Sequence, residues 1–362
     1  MKATLLQQAV QELVFLYSYS LVIIQEHKSI KIMPEIKFSE SRIINISGHD
    51  DFNEIALEIF HFQYKYNSVY KQFVDFLKIQ VSHIKHYSQI PFLPVEFFKN
   101  HKVTSGEFKA NVVFSSSGTT GMQTSKHFVK KIELYETSFL KTFELFFGSP
   151  TDYVILALLP SYLERTGSSL VYMADKLIRL STKTESGFYL NELEDLRSLL
   201  LTLKKQNQKV LLLGVTYALL DLAEQFPIHF PKLILMETGG MKGNRQEVVR
   251  DELHSKLKDV FGVQEIYSEY GMTELLSQAY STGEGIFKCP PWMKIVVRDV
   301  NDPFCNLPEG KIGGINIIDL ANIYSCSFIA TQDLGRKNAD GTFEILGRFD
   351  NSDARGCNLL VV

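Results

Sequence analysis

KVLLLGVTYALLDLAEQFPIHFPKLILMETGG, Lys209 to Gly240, sets the fold class. The apolar run after Lys209 reads as a strand to Leu213, the stretch Thr216 to Gln225 as a helix, and Lys232 to Glu237 as a second strand. A helix between two apolar strands is the repeating unit of a parallel sheet, whose ligands gather at the carboxyl ends of the strands. The pattern extends both ways. Upstream lie a strand at Tyr153 to Leu159 and helices around Ser168 to Leu180 and Leu190 to Lys205. Downstream follow a helix from Arg245 to Phe261 and a strand from Gln264 to Ser268. The chain is therefore expected to be α/β.

Past Tyr280 the texture changes to short strands punctuated by Gly and Pro, such as Met293 to Val297, Ile312 to Ile318 and Thr342 to Ile345. These predict a smaller β-rich region starting at about residue 281. On the other side, Phe52, Ile55, Ile59, Phe60, Phe73 and their neighbours predict packed helices between Asp51 and Lys85. Pro91 and Pro94 end them, and Asn111 to Phe114 reads as a short strand.

Composition excludes several classes. With 38 Lys and Arg against 41 Asp and Glu in 362 residues, the net charge of −3 leaves no basic surface for nucleic acid. The four cysteines, Cys289, Cys305, Cys326 and Cys357, form no C-x-x-C pair, so neither a zinc site nor a disulfide framework is expected, which suits a reducing cytoplasm. The apolar run Leu13 to Ile24 is interrupted by Ser18 and Ser20 and is too short to span a bilayer. Met33 makes a plausible start of its own, so residues 1 to 40 are expected to be an N-terminal extension.

Four motifs carry chemistry. The strand ending at Phe114 runs into Ser115-Ser-Ser-Gly-Thr-Thr-Gly121, with Ser125 and Lys126 just beyond. Small residues let the backbone wrap an anion, hydroxyls and amides donate to phosphate oxygens, and a lysine neutralises charge. No Gly-Lys-Ser/Thr follows, so this is not the Walker form. Glu237-Thr-Gly-Gly-Met241 ends an apolar strand with paired glycines, which allow a flat ligand close to the backbone, though an ordinary strand-to-helix turn has the same composition. In Tyr267-Ser-Glu-Tyr-Gly-Met-Thr-Glu274, Tyr270 is able to cover a purine and Glu274 offers Mg²⁺ a hard oxygen; core packing and a solvated helix start are the plainer alternatives. Thr331-Gln-Asp-Leu-Gly-Arg336 places Asp333 where it can accept from ribose hydroxyls, although Asp-Leu-Gly alone is only a turn.

In this order, and followed by Gly347-Arg348, the motifs resemble the series of the adenylate-forming enzymes, which include acyl-CoA synthetases and nonribosomal-peptide adenylation domains. The likeness covers about Val112 to Arg348. It implies that Ser116, Ser117, Gly118, Thr119, Thr120 and Gly121 hold the phosphates of ATP and that Gly239 and Gly240 line the adenine pocket. It further implies that Tyr270 and Gly271 lie against adenine, Thr273 and Glu274 contact phosphate and Mg²⁺, and Asp333 and Arg348 bind ribose. An adenylate-forming domain is thus expected over residues 41 to 348.

Two departures narrow the resemblance. Most of these enzymes continue past the Gly-Arg hinge into a C-terminal domain with a catalytic lysine; here the last lysine is Lys337, and residues 349 to 362 are expected to be a mobile tail instead. Lys126, Lys242 and Arg348 are the cations available to replace it, Lys126 being the first choice. The tail contains Arg355-Gly-Cys357. Together with Pro160-Ser-Tyr-Leu-Glu-Arg165 and Cys289-Pro-Pro-Trp-Met293, it resembles the acyl-protein synthetases, the long-chain-fatty-acid ligases of luminescence fatty-acid reductase. That family passes the acyl-adenylate to a C-terminal cysteine and then to a reductase subunit, which makes Cys357 the expected catalytic nucleophile, with an acyl reductase or other acyl-acceptor protein as partner. The nine residues from Arg348 to Cys357 extend about 30 Å at roughly 3.3 Å each. Arg355 favours the attacking thiolate. A phenylacetate-type CoA ligase and a non-catalytic acyl- or nucleotide-binding scaffold are the alternatives.

Overall fold

A computed structural model describes residues 40–116, 123–159, 167–190, 192–239 and 250–349. Three helices come first: α1 (Glu40–Ile44), α2 (His49–Tyr66) and α3 (Ser68–Phe76). Asn67 breaks α2 from α3, its side chain accepting from Tyr70 N at 2.9 Å to cap α3 while its amide donates to Ser325 O at 3.0 Å. Strand β1 (Leu93–Pro94) and the turn of helix α4 (Phe97–Asn100) lead to a separate hairpin, β2 (Val112–Ser115) and β3 (Lys126–Val129), paired antiparallel from Val112↔Val129 to Ser115↔Lys126.

The α/β body follows as α5 (Ile132–Phe147), β4 (Val154–Leu158), α6 (Ser169–Ser181), β5 (Gly187–Tyr189), α7 (Leu193–Lys205), β6 (Val210–Val215), α8 (Thr216–Gln225), β7 (Ile234–Thr238), α9 (Arg250–Phe261) and β8 (Tyr267–Tyr270). Every residue of β4 and β6 is buried, as expected of parallel strands covered on both faces. The apolar runs are continuous for that reason. Ser168 starts α6, its hydroxyl accepting from Val171 N at 3.3 Å.

The remaining strands are β9 (Ala279–Ser281), β10 (Ile286–Lys288), β11 (Met293–Arg298), β12 (Ile312–Asp319), β13 (Phe328–Lys337) and β14 (Phe343–Arg348). They are as β-rich as expected, and they pair onto the same sheet, giving a twelve-stranded order β11-β12-β13-β14-β10-β9-β8-β7-β6-β4-β5 with β1 beside β13. Strands β5, β4, β6, β7 and β8 are parallel; β8 through β14 pair antiparallel. The segment Thr331 to Arg336 lies inside β13 and is not a turn. Gly335 serves close strand approach, since a Cβ there would meet Glu344 O at 2.1 Å. Among the described residues no helix is long and apolar enough to cross a membrane.

Candidate functional site

Strands β7 and β8 end side by side, and the motifs begin where they end. Gly239 closes β7 with φ of +69°, a backbone angle that favours glycine, and its carbonyl accepts from Thr216 Oγ1 at 2.9 Å. At the end of β8, the Tyr270 hydroxyl donates to Asp333 Oδ2 at 2.7 Å, and Arg348 Nε lies 3.1 Å from Asp333 Oδ1. Asp333 and Arg348 are paired across β13 and β14, and Asp333 N donates to Thr331 Oγ1 at 3.0 Å. Burial and the Asp333 carboxylate push the Tyr270 phenol well above its ordinary pKa, so it stays protonated and donates. Its ring meets Phe287 and Phe343 edge-on, with centroids 5.9 and 5.7 Å away. Tyr270, Asp333 and Arg348 thus form one cluster.

The hydroxyl-rich loop joins from the other side. Ser125 N donates to Ser116 Oγ at 2.9 Å and Ser116 N to Ser125 O at 3.1 Å, closing the neck between β2 and β3. The Ser125 hydroxyl then donates to Glu274 Oε1, so the neck sits on the segment that follows β8. Glu274 is buried and begins no helix. Lys126 is exposed at the start of β3. Ser117 to Gly121, Gly240 and Cys357 lie outside the described residues, as do residues 1–39 and 350–362.

Three residues without any motif hold this arrangement. His127, next to Lys126, is buried with Nδ1 2.8 Å from Thr273 O and Nε2 2.9 Å from Asn322 Oδ1. Burial lowers its pKa to about 4 against those two acceptors, so the ring is neutral at neutral pH. Asn322 Nδ2 donates to Glu274 O at 2.7 Å and to Cys326 O at 3.0 Å. Asp319, fully buried, accepts from Leu276 N and Ser277 N at 2.7 and 3.0 Å through Oδ2, and from Ser277 Oγ and Ala321 N at 2.6 and 3.2 Å through Oδ1. The loop carrying Thr273 and Glu274 is therefore gripped along its length. The only sequence signal is a polar cluster, Asn322, Ser325 and Ser327, between apolar strands.

Two buried glutamates on the neighbouring strands differ. Glu237 accepts from Thr216 Oγ1 and Ser268 Oγ, both at 2.9 Å, and has His254 Nε2 at 3.3 Å and Arg250 Nε at 3.8 Å. Burial opposes its charge, but the His254 hydrogen bond and the Arg250 guanidinium hold its pKa below the ordinary value. Glu269 accepts from Thr238 Oγ1 at 2.5 Å through Oε2, and burial pushes its pKa up to about 7.

A family model described as "Acyl-protein synthetase, LuxE" matches residues 40–362. The chain belongs to the acyl-protein synthetase family. Among solved structures, ATP-bound MatB from Rhodopseudomonas palustris is similar at 18% identity with a TM-score of 0.51, over 67% of this chain and 49% of that one. The chain thus spans about half the length of that relative. A 2-hydroxyisobutyryl-CoA ligase in an open conformation, in complex with 2-HIB-AMP and CoA, is 13% identical with a TM-score of 0.62, over 90% of this chain and 76% of that one. At these identities the likeness is one of fold, and the fold is that of the adenylate-forming enzymes. A search of curated proteins returned no match.

Proposed function

We propose that this acyl-protein synthetase is an AMP-forming acid–thiol ligase. In this reading it activates a carboxylic acid of the fatty-acid kind with ATP and transfers the acyl group to Cys357 as a thioester, for delivery to an acyl reductase or another acyl-acceptor protein. The observation that carries the reading is the meeting of two unlike sets of groups around the end of β8. One is the nucleoside-type cluster Tyr270, Asp333 and Arg348; the other is the neck of the hydroxyl-rich loop, joined to Glu274 through Ser125. A nucleotide held by the first has its phosphates directed to the second.

The donor set fits Mg²⁺. Among the described residues no group of three or more His, Cys, Asp or Glu side chains gathers as a metal centre, while Glu274 is a buried carboxylate beside a hydroxyl. One protein carboxylate completed by phosphate oxygens is a usual Mg²⁺ arrangement. When bound, Mg²⁺ neutralises charge on the triphosphate. The chain's own residues position the reactants: Asp333 accepts from ribose, the loop amides and hydroxyls donate to phosphate, and the substrate carboxylate attacks the α-phosphate with pyrophosphate leaving. The Cys357 thiol then displaces AMP.

The test is intact-protein mass measurement after incubation with ATP, Mg²⁺ and a panel of acids, alongside acid-dependent ATP–pyrophosphate exchange. Wild type is expected to gain a hydroxylamine-sensitive acyl adduct on the C-terminal peptide, and Cys357→Ser to lose it while exchange persists. Release of acyl-CoA on adding CoA, with no adduct at Cys357, makes the protein a CoA ligase instead. Absence of pyrophosphate release with every acid makes it a scaffold.

A further inference from the structure

Asp333 and Arg348 face each other across β13 and β14 because the register shifts beside them. Gly335 pairs with Ile345 but Leu334 with Gly347, which makes Leu346 an extra residue on β14. Without that bulge Asp333 would stand opposite Gly347, and Arg348 would lie one position further along, opposite Gln332. The ion pair of the nucleoside cluster therefore depends on the bulge.

Arg250, the first residue of α9, grips β14 just before the extra residue: its Nη1 donates to Ile345 O at 2.8 Å. The pairing of β10 with β14 ends one position earlier, at Ile286↔Glu344. To reach the carbonyl the guanidinium passes Gly285, where φ is +65° and a Cβ would stand 3.1 Å from Arg250 Cδ and 3.2 Å from Nη1. It also lies over the Phe287 ring, 5.7 Å from the centroid, and Phe287 in turn meets Tyr270 edge-on. On its other side Arg250 Nε is 3.8 Å from Glu237 Oε1, and that carboxylate is fixed by the Thr216 and Ser268 hydroxyls at 2.9 Å. One arginine thus ties the end of β7, beside Gly239, to β10 and to the bulge of β14.

We propose that Arg250 is a positioning residue of the nucleotide site: anchored on Glu237, it fixes the β14 bulge that sets Arg348 opposite Asp333. With the bulge fixed, the Asp333 carboxylate is held from two sides, by Tyr270 and by Arg348, before a nucleotide arrives. The inference rests on the reading above in one respect, that the Asp333 cluster receives the nucleotide.

The test pairs calorimetric binding of Mg²⁺–ATP with acid-dependent ATP–pyrophosphate exchange. Arg250→Met keeps the stem against Phe287 and Gly285 but removes the donor to Ile345 O and the charge beside Glu237. It is expected to weaken ATP binding about tenfold and to raise the KM for ATP in exchange equally, with the KM for the acid within about twofold of wild type. Arg250→Lys, which keeps the charge and a donor, is expected to recover part of the loss. In an Arg348→Ala background the same Arg250→Met change is expected to weaken ATP binding by less than about twofold, because its effect passes through Arg348. A loss of about tenfold in both backgrounds overturns the inference, as does ATP binding by Arg250→Met within about twofold of wild type. An equal rise in the KM for ATP and for the acid overturns it in favour of general support of the sheet. Wild-type protein that binds ATP yet exchanges no pyrophosphate with any acid overturns the ligase reading, and the calorimetric comparison still decides the role of Arg250. Wild-type protein that binds no ATP overturns both.

Discussion

Asp319→Asn tests whether the loop bearing Glu274 is held from β12. The carboxylate takes four donors in a fully buried position, two backbone amides on Oδ2 and the Ser277 hydroxyl with Ala321 N on Oδ1. An asparagine keeps Oδ1 toward Leu276 and Ser277 and turns its amide to the Ser277 oxygen, leaving Ala321 N facing a donor. One unpaired buried donor costs about 1–3 kcal/mol, and exchanging charged for neutral hydrogen bonds costs about 1 kcal/mol more for the remaining pair, so roughly 3 kcal/mol is expected in total. For large domains that corresponds to a Tm lower by about 6–12 °C. Trp292, the one tryptophan, reports on the same network, because its indole N–H lies 2.9 Å from Ser138 Oγ and 3.1 Å from Ser277 Oγ. Thermal unfolding followed by tryptophan emission is the assay, with pyrophosphate exchange as the functional readout. A Tm within about 2 °C of wild type and an unchanged emission maximum would refute the reasoning.

Tyr270→Phe removes the donor to Asp333, a hydrogen bond to a charged group worth about 1.5–3 kcal/mol, so the KM for ATP in exchange is expected to rise roughly ten- to hundredfold; an unchanged KM removes Tyr270 from the nucleotide site. Glu237 has a folded pKa below its ordinary 4.5, so its stabilising contribution is present above that pH and lost as pH falls through the folded value. Glu237→Gln is accordingly expected to lower Tm more at pH 7 than at pH 4, and an equal loss at both contradicts the assignment. Burial pushes the thiols of Cys289 and Cys326 up to about 12, whereas Cys305 is exposed, so among these three iodoacetamide is expected to label Cys305 first in the native protein. Early labelling of Cys326, mapped by peptide mass, counts against the packing of that segment.

The parallel half of the sheet was legible because β4 and β6 are apolar throughout and their helices carry a regular period. Strand β3 was not, since Lys-His-Phe-Val mixes an exposed lysine with a buried histidine whose partners come from distant segments. Strands β9 and β10 are three residues each, too short for any period to show. In β13 the Asp-Leu-Gly signature of a turn was misleading, because Gly335 is there for strand approach and the register shifts beside it, between Leu334 and Gly335. The site residues recognised in the sequence are those adjacent to glycines in motifs. His127, Asp319, Asn322 and Glu269 act through hydrogen bonds to atoms far away in the chain, and a single polar residue in an apolar stretch carries no local mark of that.

Gln63 of α2 donates to Asn322 O at 3.1 Å, Ile323 O at 3.0 Å and Ser327 Oγ at 3.1 Å, and accepts from Ser327 N at 3.0 Å. The residue that grips the Glu274 loop is thus itself held by one made 264 positions earlier than Ser327. During synthesis at roughly 5–20 residues per second, Gln63 waits some 13–50 seconds for those partners. Over that interval the apolar face of α2, with Phe52, Ile55, Ile59 and Phe60, has no β12–β13 segment to cover it. A nascent chain stalled before Asn322 is therefore a natural client for chaperones, and it is expected to assemble the cluster of Tyr270, Asp333 and Arg348 only after Arg348 has been made.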